Sequence, residues 1–253
     1  EILAGGHSLL PTMKSGLASP DVLVDIGGID DLRGVSRNGD AISVGALTPY
    51  AEVAGDDAIH EQATAFAEAA QAIGDIQVRN RGTVGGNIAH SDPASDLPAA
   101  VVASEATIHV QGADGSREVA ADDFFQGMYA TDVGEGEILT RIDVPTYDDG
   151  DVGAYVKKPS PSSGYAMVGV AAVFQTDGRE IDSARVAANG AMDHATRLTA
   201  VEDALAGSKV ADAPEAASRA TEGIEDWQFM DDVQASAEYR AQLLEVYTRR
   251  ALQ

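Results

Sequence analysis

The chain has 253 residues, is 44% hydrophobic and 23% charged, carries a net charge of −24 and contains no cysteine. That length holds two or three compact units with their own cores, and the acidity disfavours nucleic acid or an anionic membrane surface as partner, because phosphates would be repelled. The lack of thiols excludes disulfides, a thiolate nucleophile and any iron–sulfur cluster ligated by this chain. Dense carboxylates and a sequence pI near 4.3 fit a protein adapted to high salt, where charges are screened and the surface stays hydrated. No apolar run reaches transmembrane length, no signal peptide is visible, and a cytoplasmic place is the default expectation. The histidines His7, His60, His90, His109 and His194 show no metal spacing.

In chain order, Leu3–Leu10 (LAGGHSLL) is a glycine loop at a strand end, followed by a short helix over Leu9–Ser15 and a strand at Asp21–Asp25. An Asn38-Gly39 hairpin signal precedes a strand from Gly39 to Val44. Gly45-Ala46-Leu47-Thr48 is a strand exit, and Thr48-Pro49 suits a cap before a helix at Tyr50–Ala54. Apolar residues at helical spacing predict one helix over Ala58–Ile73, ended by Gly74-Asp75. Leu97–Ala103 reads as helix, and Ala106–Gln111 with Arg117–Ala120 as a hairpin. A short helix at Asp122–Phe125 and a strand at Glu137–Val144 follow. Tyr147–Asp151 (YDDGD) is the expected domain boundary. Beyond it come three strands, Gly153–Lys158, Tyr165–Gln175 and Ile181–Asn189. Helices at Ala195–Ala206, Pro214–Glu222 and Ala235–Leu252 should cover one face of their sheet.

The densest chemistry lies in Arg79–Pro98, RNRGTVGGNIAHSDPASDLP. This composition argues against regular helix or strand. Gly85 and Gly86 allow positive φ and a close approach of phosphate to backbone amides. Thr83, Asn87 and Ser91 add short hydrogen-bonding side chains, while Asp92 and Asp96 suit a ribose hydroxyl or a ring N–H. Asp92-Pro93 turns the chain, and Asp96 is placed to cap the helix at Leu97. Together with the first loop, this gives two glycine cradles for one diphosphate. A glycine pair alone is more often a structural turn than a phosphate site.

AGGHSLLPTMK at Ala4–Lys14 and RGTVGGNIAHSDPASDLPA at Arg81–Ala99 resemble the FAD-binding medium subunit of the molybdenum hydroxylases, the group of carbon monoxide, xanthine and aldehyde dehydrogenases. The likeness extends over nearly the whole chain. It implies an α+β fold: a two-part FAD-binding α/β domain of the PCMH type over residues 1–146, with subdomains at about 1–38 and 39–146. A C-terminal α+β domain with a three-stranded antiparallel sheet and helices follows over 150–253. Family members carry a further strand–helix segment before the first loop, so the resemblance implies a truncated or mis-called start.

For FAD, the resemblance implies contacts from Leu3, Ala4, Gly5, Gly6, His7, Ser8, Leu9 and Leu10, then from Thr83, Gly85, Gly86 and Asn87. Asp96 matches an acidic contact to the adenosine or ribitol region, and Asp92 a neighbouring acidic position. Ile73 stands where relatives place an apolar or aromatic residue against the flavin, although the core face of a helix explains it equally well. Leu139 matches a residue whose backbone nears the ring, and a buried strand residue would look the same. Lys157 matches a lysine beside the flavin, where a cation would stabilise the reduced anion. Tyr165 matches an aromatic covering the ring, although Gly164 stands where many relatives have Asp.

The implied function is electron transfer within a heterotrimer. Molybdopterin would sit on a large partner and 2Fe-2S clusters on a small one. FAD on this chain would pass electrons to NAD, a quinone or oxygen. No residue need act as acid, base or nucleophile. A Walker signature, a Rossmann fingerprint and a nucleophile elbow are all absent. A self-contained FAD-dependent oxidase or reductase of the same fold, and a nucleotide-binding module without enzymatic activity, stay open as alternatives.

Overall fold

A computed structural model describes residues 1–253. It opens with β1 (Ile2–Leu3), α1 (Leu9–Lys14) and β2 (Val24–Asp25), with β1 and β2 paired in parallel. The hairpin β3 (Val35–Asn38) and β4 (Ala41–Gly45) follows, turning at Gly39 with φ +62°. Because β3 pairs with β4, the hairpin straddles the expected division at residue 38.

Helices α2 (Tyr50–Ala54), α3 (Asp57–Gln62), α4 (Thr64–Ala72), α5 (Ile76–Arg79), α6 (Val84–His90) and α7 (Leu97–Ala103) come next. The single helix expected over Ala58–Ile73 is broken at Ala63, with φ −154°. Tyr147 is the reason: its amide donates to the Gln62 carbonyl at 2.8 Å and its hydroxyl accepts from the Ala65 amide at 3.2 Å. Distant groups thus replace the ladder bonds that a continuous helix would have made. The break lets Ile59, Ala63 and Phe66 all reach the core, where each has no exposure.

The chain then builds β5 (Thr107–Gly112), β6 (Gly115–Ala120), α8 (Ala121–Phe124), the small ladder β7 (Phe125–Gly127) with β8 (Ala130–Thr131), and β9 (Ile138–Pro145). An antiparallel five-stranded sheet runs β3-β4-β9-β5-β6. Ile42, Val44, Ile108, Val110, Ile142 and Val144 alternate onto its buried face. Helices α2, α4, α6 and α7 join that core.

After the boundary come β10 (Val152–Pro159), β11 (Ala166–Thr176), β12 (Ile181–Asn189), β13 (Thr196–Arg197), α9 (Thr199–Leu205) and α10 (Ala237–Ala251). The three expected strands are antiparallel neighbours, and two-residue β13 adds a fourth at the edge. The helix expected at Pro214–Glu222 is instead a 3-10 run over Val210–Arg219, since Pro214 cannot donate to an α-helical ladder. As expected, α9, the Val210–Arg219 run and α10 share one face of this sheet, while α4 and α7 of the first domain cover the other. Val168, Val170 and Ala172 pack toward α9 and α10, while Ala171 and Ala187 turn to the first core beneath α4 and α7. That explains why Ala166–Phe174 is apolar almost without interruption: β11 is buried on both sides.

A candidate dinucleotide cleft between two glycine loops

The N-terminal loop is an open array of donors. Gly6 takes φ +73°, a conformation suited to glycine. Ser8 stands at the cap of α1 but makes no side-chain capping bond. The amides of Ala4, Gly5, Gly6, His7, Ser8 and Leu9 donate to no protein acceptor. Consecutive free N–H groups at a helix start form a concave site for an anion.

The central stretch is built differently. Val84–His90 is a helix, contrary to the expectation of irregular backbone, and neither Gly85 nor Gly86 has positive φ. Its first amides are occupied. Val84 donates to Thr48 O, Gly85 to Ala46 O, Asn87 to Thr83 O, and Gly86 to Thr83 Oγ1 at 3.3 Å. Gly85 is glycine because a Cβ would lie 2.4 Å from Ala46 Cβ. Gly86, by contrast, is exposed, as is Ala89 one turn on, so α6 offers a low apolar surface there.

The two stretches touch. A Cβ on Gly5 would sit 2.2 Å from Arg81 O. Both line one cavity of about 380 Å³, within the range of small-molecule sites. From the first loop it takes Leu3, Ala4, Gly5, Gly6, His7, Ser8 and Leu9; from the central stretch, Thr83, Gly85, Gly86 and Asn87; and from β9, Leu139. Asn87 Nδ2 donates to Ser95 Oγ at 3.2 Å, whereas its buried Oδ1 has no partner. Residues with no counterpart among the sequence candidates also line the space, Tyr50, His90, Glu137 and Ile138 among them. Tyr50 packs its ring on Gly82, where a Cβ would be 2.3 Å away. Burial raises its phenol pKa, and the adjacent Asn87 side chain pulls it back. The residues between Thr48 and Ala54 read only as a helix start, so nothing local marked Tyr50.

Six sequence candidates lie outside this cavity. Leu10 faces the other side of the loop. Ile73 is buried in the main core, and its carbonyl accepts from Arg79 at 2.8 Å. Asp92 Oδ1 takes the Ala94 amide at 2.9 Å, making the expected turn. Asp96 makes no capping bond to α7, in place of the expected cap. It accepts instead from Tyr155 OH at 2.6 Å and Lys157 Nζ at 2.9 Å. Lys157 donates also to Gly164 O at 2.8 Å. This pair joins the start of α7 to β10 with side chains only 4% and 9% exposed. Burial pushes the Asp96 carboxyl above its ordinary range, opposed by Lys157 and Tyr155. Tyr165 is 44% exposed and close enough to Asp92, Tyr129 and Asp96 for their charges to raise its phenol pKa, after burial itself. Tyr129 in turn leans on His90, a cavity residue, with ring centroids 5.0 Å apart.

The residues fit a flavin dinucleotide: free amides for phosphate, an orphaned amide oxygen for a hydroxyl, and apolar walls from Leu139, Ile138 and Ala89. Fold and site thus define a flavoprotein of the two-domain α+β kind. Residues 1–147 match the FAD binding domain in molybdopterin dehydrogenase, and residues 154–253 match the CO dehydrogenase flavoprotein C-terminal domain. The chain belongs to the FAD-binding medium subunits of the molybdenum hydroxylases. It is 37% identical to the glyceraldehyde dehydrogenase medium chain of Sulfolobus acidocaldarius, over 98% of this chain and 88% of that one. It is 36% identical to the carbon monoxide dehydrogenase medium chain of Hydrogenophaga pseudoflava, over 100% and 88%. The solved carbon monoxide dehydrogenase from H. pseudoflava that lacks the Mo-pyranopterin moiety superposes with a TM-score of 0.94 at 37% identity, covering 100% of this chain and 88% of that one. Quinoline 2-oxidoreductase from Pseudomonas putida 86 gives 0.90 at 30% identity, over 99% and 87%. FAD is therefore the cofactor of this chain, an oxidoreductase subunit whose relatives do their chemistry at molybdenum in another subunit. No helix is long and apolar enough to cross a membrane.

Proposed function

We propose that this chain is the electron-transfer flavoprotein of a heterotrimer. A large partner would carry molybdopterin, and a small partner the 2Fe-2S clusters that deliver electrons here. An external acceptor, NAD, a quinone or oxygen, would then take them. The observation that carries this reading is the run of free amides from Ala4 to Leu9 facing Asn87 across one cavity. FAD supplies a centre that accepts electrons singly or in pairs. The chain's own residues hold and orient it. The first-loop amides bind the diphosphate, Gly86 lets it come close, and Asn87 Oδ1 accepts from a hydroxyl. Leu139 and Ile138 exclude water. Tyr165 with Tyr129 covers the outer edge, near Asp92. Lys157 is held by Asp96 just behind that edge, so its charge acts through the ion pair. Residues 1–146 would form the cofactor domain and 150–253 the covering one.

The chain should be tested first by its visible spectrum, purified in molar salt with added FAD. Bound-flavin absorbance that bleaches only when the reduced small partner is supplied supports the relay. Substrate turnover by the chain alone would favour a self-contained oxidase or reductase, and failure to bind flavin at any salt would leave a nucleotide-binding module. The acidity supports a cytoplasm rich in salt: the melting temperature should rise from dilute buffer to molar potassium chloride. A flat salt response would remove that part of the reading.

A further inference from the structure

The N-terminal glycine loop also lines a second cavity, of about 300 Å³. The two cavities share Leu3, Ala4, Gly5, Gly6, Leu47 and Thr83, so the loop stands between them. Two arginines line the second, Arg33 and Arg81. In a chain with 41 acidic against 17 basic residues, arginines commonly find carboxylates. Arg117, Arg185, Arg197 and Arg240 each do so. Arg33 and Arg81 hold none, and neither do Arg37, Arg79, Arg179 and Arg250; of these six only Arg33 and Arg81 line this cavity. Arg33 gives one bond, to the Gly27 carbonyl at 2.8 Å, and the Arg81 side chain gives none. Asp25 is the acidic residue of this cavity, and one of its oxygens already accepts the Gly27 amide at 2.9 Å.

A diphosphate brings two negative charges into a chain whose own field repels them. Neutral amides alone leave that repulsion uncompensated, and Lys157, paired with Asp96, lines neither cavity. We infer that Arg33 and Arg81 form a cationic clamp on the diphosphate of FAD, with the adenosine half of the dinucleotide in the second cavity. Guanidinium groups suit this because their planar donors match phosphate oxygens in pairs. The inference rests on the cofactor cleft proposed above and adds to it the residues that hold the charge.

The test uses the whole chain, freed of flavin and titrated with FAD by fluorescence quenching across a salt series. Arg81→Gln and Arg33→Gln should each weaken FAD binding about tenfold, the scale of a lost charge-assisted hydrogen bond. Arg81→Lys should recover part of that loss. Both Gln variants should flatten the dependence of affinity on salt. The apo-protein melting temperature should not move, since both side chains are exposed. Gln variants as tight as the wild type would overturn the clamp. So would a Lys variant no better than Gln, which would mark a role in shape rather than charge. If the wild-type chain itself takes up no FAD, the cofactor cleft fails and not the clamp alone.

Discussion

The two glycine loops look alike as sequence and differ as structure. In the first, glycine opens the backbone outward, and the amides from Ala4 to Leu9 wait for an acceptor. In the second, glycine lets the protein close on itself: Gly82 admits the Tyr50 ring and Gly85 admits Ala46. One loop leaves its amides open to the cavity, and the other packs into the wall that holds it in place. A paired-glycine motif therefore states that something comes close, without stating whether it is a ligand or the chain's own backbone.

The strongest way to break this contrast is at the far end of the central stretch. Asp96→Ala would leave Lys157 buried and unpaired, at an expected cost of about 3–5 kcal/mol in denaturant unfolding. The double variant Asp96→Ala/Lys157→Met should recover much of that loss, because no charge is then stranded. A double variant as unstable as the single one would mean that packing rather than charge holds the junction. Next in size is Gly85→Ala. Its Cβ would overlap Ala46 at 2.4 Å, and overpacking of this kind costs about 1–3 kcal/mol, here at the upper end. The melting temperature should fall clearly with or without flavin.

Gly6→Ala sharpens the other side. It forces a non-glycine residue to φ +73°, a cost of about 1 kcal/mol. It should also weaken FAD binding, because the donors lose their direction. Gly86→Ala should have a smaller effect on stability, below about 1 kcal/mol, since only the Thr83 hydroxyl must move. Its effect should show in flavin affinity instead. If Gly85→Ala and Gly86→Ala were equally destabilising, the division between packing and binding glycines would be wrong.

The smallest expected effect concerns Glu137, which lines the cleft. Hydrogen bonds from Arg117 and the Gly134 amide lower its carboxyl from 4.5 to about 2. A depressed carboxyl contributes stability above its unfolded pKa and loses it as pH falls through the folded value. The contribution should therefore be intact above about pH 5 and fade toward pH 2. Carbon-13 NMR of the Glu137 carboxyl should report a midpoint near 2, returning toward 4.5 in Arg117→Ala. An ordinary midpoint in the wild type would show that the pair does not persist in solution.

Most strands and helices were legible, because binary pattern and turn chemistry act within a few residues. The hairpin at Asn38-Gly39, the helix at Leu97–Ala103 and the three strands beyond Asp151 all come from such signals. The break at Ala63 was not legible, since its cause, Tyr147, lies far along the chain. Helix α6 was hidden for the same reason. Two glycines in seven residues argue against a helix until Ala46 and Thr48 supply acceptors for its first amides. Tyr50 and Arg33 carried no local mark, and nothing set Arg81 apart within its motif, because a cavity is made by residues that meet only after folding.

By itself the sequence determined the family, the cofactor class, the antiparallel C-terminal strands and the two segments that meet at the cleft. Each of these is carried by residue types at fixed short spacing. Only the tertiary structure decided which glycines admit packing and which leave the backbone open, that Asp96 pairs with Lys157 instead of capping its helix, and which arginines stay free of carboxylates. Those choices depend on what a group finds beside it once the chain is packed, and hydrogen-bonding capacity is assigned there, by proximity and burial.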